Sequence, residues 1–124
     1  MKLLVVDDEL DIQYLFQQKF RREIKEGQIF IKYALNAMSA LEFLNTTQNL
    51  TEYCILTDIN MPEMSGMELL KEIKTRYPAQ KVFMITAYED EQNINMAKKL
   101  GADDYFTKPL QFDLLKEKLN LNAT

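Results

Sequence analysis

The stretch Tyr53-Cys54-Ile55-Leu56-Thr57-Asp58-Ile59-Asn60-Met61-Pro62-Glu63-Met64-Ser65-Gly66 decides the fold. Its first five residues are apolar or β-branched without polar alternation, the pattern of a short strand buried on both faces. An acid then opens a loop. Ser65, three residues before Glu68, forms a capping box for a helix carrying Leu69, Leu70 and Ile73, and Pro78 stops that helix. Strand, loop and helix in this order make the repeating unit of a parallel sheet.

The same unit recurs on both sides. Upstream, Leu3-Leu4-Val5-Val6 is a strand ended by acids, and from Asp8 onward Ile12, Leu15, Phe16, Phe20 and Ile24 recur at helical spacing, with Gly27 as a C-cap. Ile29 to Ala34 reads as a strand, and Ala37, Ala40, Leu41 and Leu44 mark a helix before the polar turn at 45–49. Downstream, Val82-Phe83-Met84-Ile85 is a strand, Asp90 to Leu100 a helix closed by Gly101, Asp104 to Thr107 a strand, and 111–120 a last helix. Five such units predict a single α/β domain with a doubly wound, five-stranded parallel sheet and helices on both faces. At this size the expected strand order is 2-1-3-4-5, the flavodoxin-like (βα)5 arrangement.

Composition agrees and excludes much else. The 124 residues, 47% of them hydrophobic, suffice for one sizeable core and not for two. The formal charge of −4 carries no chain-wide footprint for nucleic acid or anionic lipid, so direct nucleic-acid binding and membrane association are not expected. Cys54 is the single cysteine and lies in an apolar run, where a buried thiol is the ordinary outcome. Only four apolar residues follow Lys2 before Asp7, far short of a secretory core, and the expectation is a cytoplasmic chain. Histidine is absent, so any phosphohistidine chemistry must come from a partner.

In a doubly wound sheet, ligands bind beyond the carboxyl ends of the strands. Asp7-Asp8 ends strand one, Asp58 strand three, Thr86 strand four and Lys108-Pro109 strand five. Three carboxylates in one pocket repel one another unless a cation compensates, and an all-oxygen donor set suits Mg²⁺, with Mn²⁺ as a substitute. Asp8 and Asp58 are the direct ligands of this reading, Asp7 acts through water, and the backbone near Asn60 adds an oxygen. Asp58, opening the loop, is the acid best placed to attack phosphorus as a nucleophile. Lys108 and Thr86 then stabilise the phosphoryl oxygens by charge and by a hydrogen bond.

These residues together resemble the receiver domain of two-component response regulators over essentially the whole chain, 1–124. Asp7-Asp8, Asp58 with Met61-Pro62 and Gly66, Thr86-Ala87 and Lys108-Pro109 all stand at signature positions. The resemblance implies a switch phosphorylated on Asp58 by a histidine kinase or a histidine phosphotransfer protein. It catalyses its own phosphorylation and slow dephosphorylation and is not otherwise an enzyme. It further implies a cis Lys108–Pro109 peptide, a switch linking Thr86 to Tyr105, and tuning of the acyl phosphate by Asn60 and Tyr88, the bulky Tyr88 prolonging its lifetime. The output partner, unidentified, meets the face formed by the helix at 90–100, the fifth strand and the last helix, and a phosphorylation-dependent dimer is one use of that face. Tyr14, off the apolar stripe of the first helix, lies where a kinase helix docks in such proteins.

Rival readings are a small aspartate-nucleophile phosphatase and a flavin carrier. The phosphatase places nucleophile and acid two residues apart, whereas Asp7 and Asp8 are adjacent; the carrier needs a hydroxyl-rich phosphate loop where this chain has Asp7, Asp8 and Glu9. A receiver belonging to a longer regulator with a DNA-binding or enzymatic output domain is the further alternative, and the absence of linker character after Leu119 favours a stand-alone regulator.

Overall fold

The structure, a computed structural model, describes residues 1–87 and 90–121. Its element order is β1 (Lys2–Val6), α1 (Asp11–Lys19), α2 (Arg21–Lys25), β2 (Phe30–Ala34), α3 (Ala37–Thr46), a 3₁₀ turn (Leu50–Glu52), β3 (Tyr53–Asp58), α4 (Gly66–Arg76), β4 (Lys81–Thr86), α5 (Glu91–Lys99), β5 (Asp104–Thr107) and α6 (Phe112–Lys118). The strands form one parallel sheet in the order β2-β1-β3-β4-β5, as the sequence predicts.

Strand periodicity divides the core in two. Leu4, Val6, Ile55, Val82 and Met84 face one side, where Ala40, Leu44, Leu69, Leu70, Ile73 and Ala97 of α3, α4 and α5 cover them. Leu3, Val5, Cys54, Leu56, Phe83, Ile85 and Phe106 face the other, against Phe16 of α1, Phe20 between α1 and α2, and Leu115 of α6. All six residues of β3 are buried, which is why its sequence shows no alternation. Burial holds the Cys54 thiol up at about 12, so it is a packing residue and not a nucleophile.

One helix departs from its expected form. The segment starts at Asp11 and is interrupted at Phe20 (φ −104°, ψ 14°), giving α1 and α2 where the spacing predicts a single helix from Asp8. The hydrogen bonds from Phe20 N–H to the Phe16 carbonyl and from Ile24 N–H to the Phe20 carbonyl meet at the break, one on each side. The Phe20 ring stays fully buried, stacked on Phe16 with centroids 5.7 Å apart and edge-on to Phe112. The change of direction turns Glu23 onto Lys116 of α6, 2.9 Å away.

Gly27 and Gly101 close their helices at positive φ (73° and 96°), and the Ser65–Glu68 capping box is present. Among the described residues no helix is long and apolar enough to cross a membrane.

Candidate functional site

β1 connects leftward to β2 while β3 lies on its other side, so the crevice of the sheet opens at the carboxyl ends of β1 and β3. Parallel register sets what meets there. Val6 is level with Thr57, so Asp7 and Asp58 are the next residues on adjacent strands. Asp7, Asp8 and Asp58 each offer a carboxylate oxygen within 4.8 Å of the others. Asp7 and Asp58 are buried and Asp8 is exposed, a cluster open on one side.

The Asp58 carboxylate is held at both oxygens. The Asn60 backbone N–H donates to Oδ1 at 3.1 Å, and Lys108 Nζ donates to Oδ2 at 2.9 Å. Lys108 spans fifty residues of sequence to reach it. This hydrogen bond, with the charge of Asp58 and of Asp7, raises the Lys108 pKa above its ordinary value, so the ammonium stays charged. The Lys108 N–H donates to the Thr86 carbonyl at 2.9 Å, and the Lys108–Pro109 peptide is cis.

Behind Asp58, α4 begins in backbone contact with the loop. The Gly66 N–H donates to the Ile59 carbonyl at 2.8 Å, and a Cβ on Gly66 would overlap the Asp58 carbonyl oxygen. Gly66 thus stands at its signature position for lack of a side chain.

Asp7 shows the electrostatic cost of the cluster. Burial first, then the charges of Asp58, Glu9 and Asp8, push its pKa up to about 6, although the Glu9 N–H at 2.9 Å partly offsets them. The folded-state pKa lies above the unfolded one, so stability falls as pH rises from about 4 to about 6 and stays reduced above that. In metal-free buffer near pH 8 the Asp7→Asn protein is therefore expected to melt roughly 4–10 °C above the parent, with the gap closing near pH 4. Equal melting temperatures near pH 8 would contradict this reading of Asp7.

A divalent cation fits these residues. The donors are all hard oxygens, they already converge, and their mutual repulsion adds to the burial that raises Asp7. Asn60 is exposed beside them.

Thr86 is 1% exposed at the end of β4, and among the described residues its hydroxyl has no hydrogen-bond partner. Tyr105 is half-buried on β5, level with Met84, and the Lys98 ammonium lies 5.0 Å from its ring centroid. That cation was not foreseen; its one trace in the sequence is a basic pair at the end of the helix preceding β5. Tyr14 is 78% exposed on α1. Tyr88 lies outside the described residues.

The comparisons with known proteins agree with this geometry. A family model described as "Response regulator receiver domain" matches residues 3–120. A chemotaxis protein CheY homolog of Campylobacter jejuni is 31% identical over 121 residues, 96% of this chain and 89% of the relative. The response regulator protein PilR of Pseudomonas aeruginosa is 37% identical over 94% of this chain, which spans only 24% of PilR. Among solved structures, a response regulator receiver domain protein from Clostridium thermocellum superposes with a TM-score of 0.82 at 29% identity, over 98% of this chain and 94% of that one.

Proposed function

This chain belongs to the response regulator receiver domain family of two-component systems, and from that premise we propose that it is a switch phosphorylated on Asp58. The whole of 1–124 is one receiver domain in this reading, located in the cytoplasm. The observation that carries it is the convergence of Asp7, Asp8 and Asp58 within 4.8 Å, with Lys108 on the Asp58 carboxylate.

Asp58 would attack the phosphorus of a phosphohistidine on a histidine kinase or phosphotransfer protein. The new bond joins an Asp58 oxygen to phosphorus, the P–N bond breaks, and the electron pair leaves with the imidazole, which is protonated by water. Asn60 N–H and Lys108 already orient the carboxylate, so little reorganisation precedes attack. As charge passes onto the phosphoryl oxygens, Lys108 exchanges its carboxylate partner for one of them. Asp7, Asp8 and Asp58, with a main-chain oxygen at Asn60, would hold Mg²⁺, or Mn²⁺ in its place, which when bound supplies positive charge against the carboxylates and the phosphoryl group. Hydrolysis of the acyl phosphate by water, at a rate tuned by Asn60 and Tyr88, resets the switch.

Thr86 is the readout. An unpartnered, buried hydroxyl can move to whichever acceptor arrives, and a phosphoryl oxygen on Asp58 is such an acceptor. Tyr105 follows it inward, changing the face of α5, β5 and α6 that an output partner, or a second copy, recognises. The long relatives such as PilR favour an output domain as that partner in a longer regulator.

Thr86→Val should leave the unphosphorylated protein within about 1 kcal/mol of the parent, or more stable, because it removes an unpaired polar group. The variant should still take up phosphoryl but lose the accompanying amide chemical-shift changes along Asp104–Thr107. Parent-like shifts there would remove Thr86 from the readout.

The test of the function itself is intact mass after incubation with acetyl phosphate, with Mg²⁺ and with a chelator. One hydroxylamine-labile phosphoryl per chain, gained only with the metal, is expected. No gain in mass with metal present, or continuous phosphoester turnover, would overturn the reading.

A further inference from the structure

At the other end of the sheet the chain carries a second concentration of charge, opposite in sign. α1 leads away from the acid cluster for about 13 Å. It ends at Lys19, and Arg21, Arg22 and Lys25 follow on α2. All four are exposed, and none has an ion-pair partner among the described residues. With Lys116 of α6 they line an open cleft of about 510 Å³. Its one acid, Glu23, is 3% exposed and already neutralised by Lys116 at 2.9 Å.

The floor of this cleft is anchored in the core. Glu23 and the fully buried Phe20 anchor α2, and the buried ion pair ties it to α6. The Lys116 ammonium lies 5.2 Å from the Phe20 ring centroid and that of Lys19 lies 6.0 Å from that of Phe112, so both charges sit over aromatic rings. Arg21 and Lys25, four residues apart, repel each other, and among the described residues the one carboxylate in the cleft, Glu23, attracts Arg22 but already pairs with Lys116. In a chain whose net charge is −4 this is a local exception.

We propose that the cleft between α1, α2 and α6 binds an oligophosphate group, either free or as the tail of a nucleotide. Four free cations spread over two turns match several linked negative charges better than one phosphate. The cleft is short and the remainder of the chain is acidic, which disfavours an extended nucleic acid. Arginine forks suit phosphate oxygens, and the anchored α2 and α6 hold the backbones that carry these cations in place. The site is separate from Asp58 and does not depend on its chemistry.

Isothermal titration of the full chain in metal-free buffer tests this, using sodium tripolyphosphate, ATP, GTP, inorganic phosphate and a single-stranded DNA oligonucleotide. Tripolyphosphate is expected to bind one per chain, at least about tenfold tighter than phosphate, weakening linearly with the logarithm of salt. Nucleotides binding tighter than tripolyphosphate identify the carried tail as the ligand; equal or weaker binding identifies the free chain. The Arg22→Gln/Lys25→Gln double variant should lose about tenfold or more, with a melting temperature no lower than the parent's and unchanged phosphoryl uptake at Asp58. Tripolyphosphate binding no tighter than phosphate, an unaffected double variant, or DNA binding tighter than tripolyphosphate would each overturn the proposal.

Discussion

The Asp58→Asn protein is expected to take up no phosphoryl group from acetyl phosphate and Mg²⁺, less than about one hundredth of the parent rate, while remaining folded. The amide occupies the carboxylate's volume, so the buried end of β3 keeps its packing. Its oxygen can still accept from Asn60 N–H or Lys108. What disappears is the negative charge that makes the side chain a nucleophile and a metal ligand. Mg²⁺ affinity should fall by about tenfold or more, because one of three converging carboxylates has become a weak neutral donor. Intact mass measures the first effect and Mg²⁺ titration the second. Labelling of the variant at the parent rate would move the acceptor to another residue; the exposed Asp8 would be the next to replace.

Gly66→Ala is expected to be the most damaging substitution to the fold. A Cβ there would overlap the Asp58 carbonyl oxygen and lie 2.8 Å from both the Asp58 carbonyl carbon and Ile59 Cα. Every one of these is backbone, so no side chain can rotate away. Either α4 lifts off the loop, losing the Gly66 to Ile59 hydrogen bond and part of the Leu69, Leu70 and Ile73 packing, or the Asp58 peptide moves with its side chain. The cost should reach about 3 kcal/mol or more, lowering the melting temperature by roughly 10 °C, and any folded fraction should be phosphorylated slowly. A melting temperature within about 2 °C of the parent would show that the loop yields more easily than its backbone contacts imply.

Both substitutions concern residues whose importance could be read from sequence, but for different reasons. Asp58 ends a continuous apolar run, and burial of all six β3 residues explains both that run and the acid's place at its end. The strand order, the two-sided core and the helix caps at Ser65, Gly27 and Gly101 were likewise legible, because periodicity and cap chemistry are local. The break at Phe20 was not. Its apolar spacing continues unbroken, and the ion pair of Glu23 with Lys116 that accompanies the break joins residues far apart in sequence. Glu23 does sit on the apolar stripe, three residues after Phe20 and seven after Phe16, which was the available sign that it is buried.

The sequence by itself determined which chemical groups stand at the strand ends, since each lies where an apolar run stops, and it determined the parallel class that brings such ends together. Only the tertiary structure decided their distances and charges: the 2.9 Å contact of Lys108 with Asp58, the rise of Asp7 to about 6, and the Thr86 hydroxyl without a partner among the described residues. Only it brought Lys116 beside Lys19, Arg21, Arg22 and Lys25, which already neighbour one another in sequence, around one cleft. Local patterns are written in neighbouring residues, whereas desolvation and Coulomb interactions depend on which groups from distant segments share a low-dielectric space.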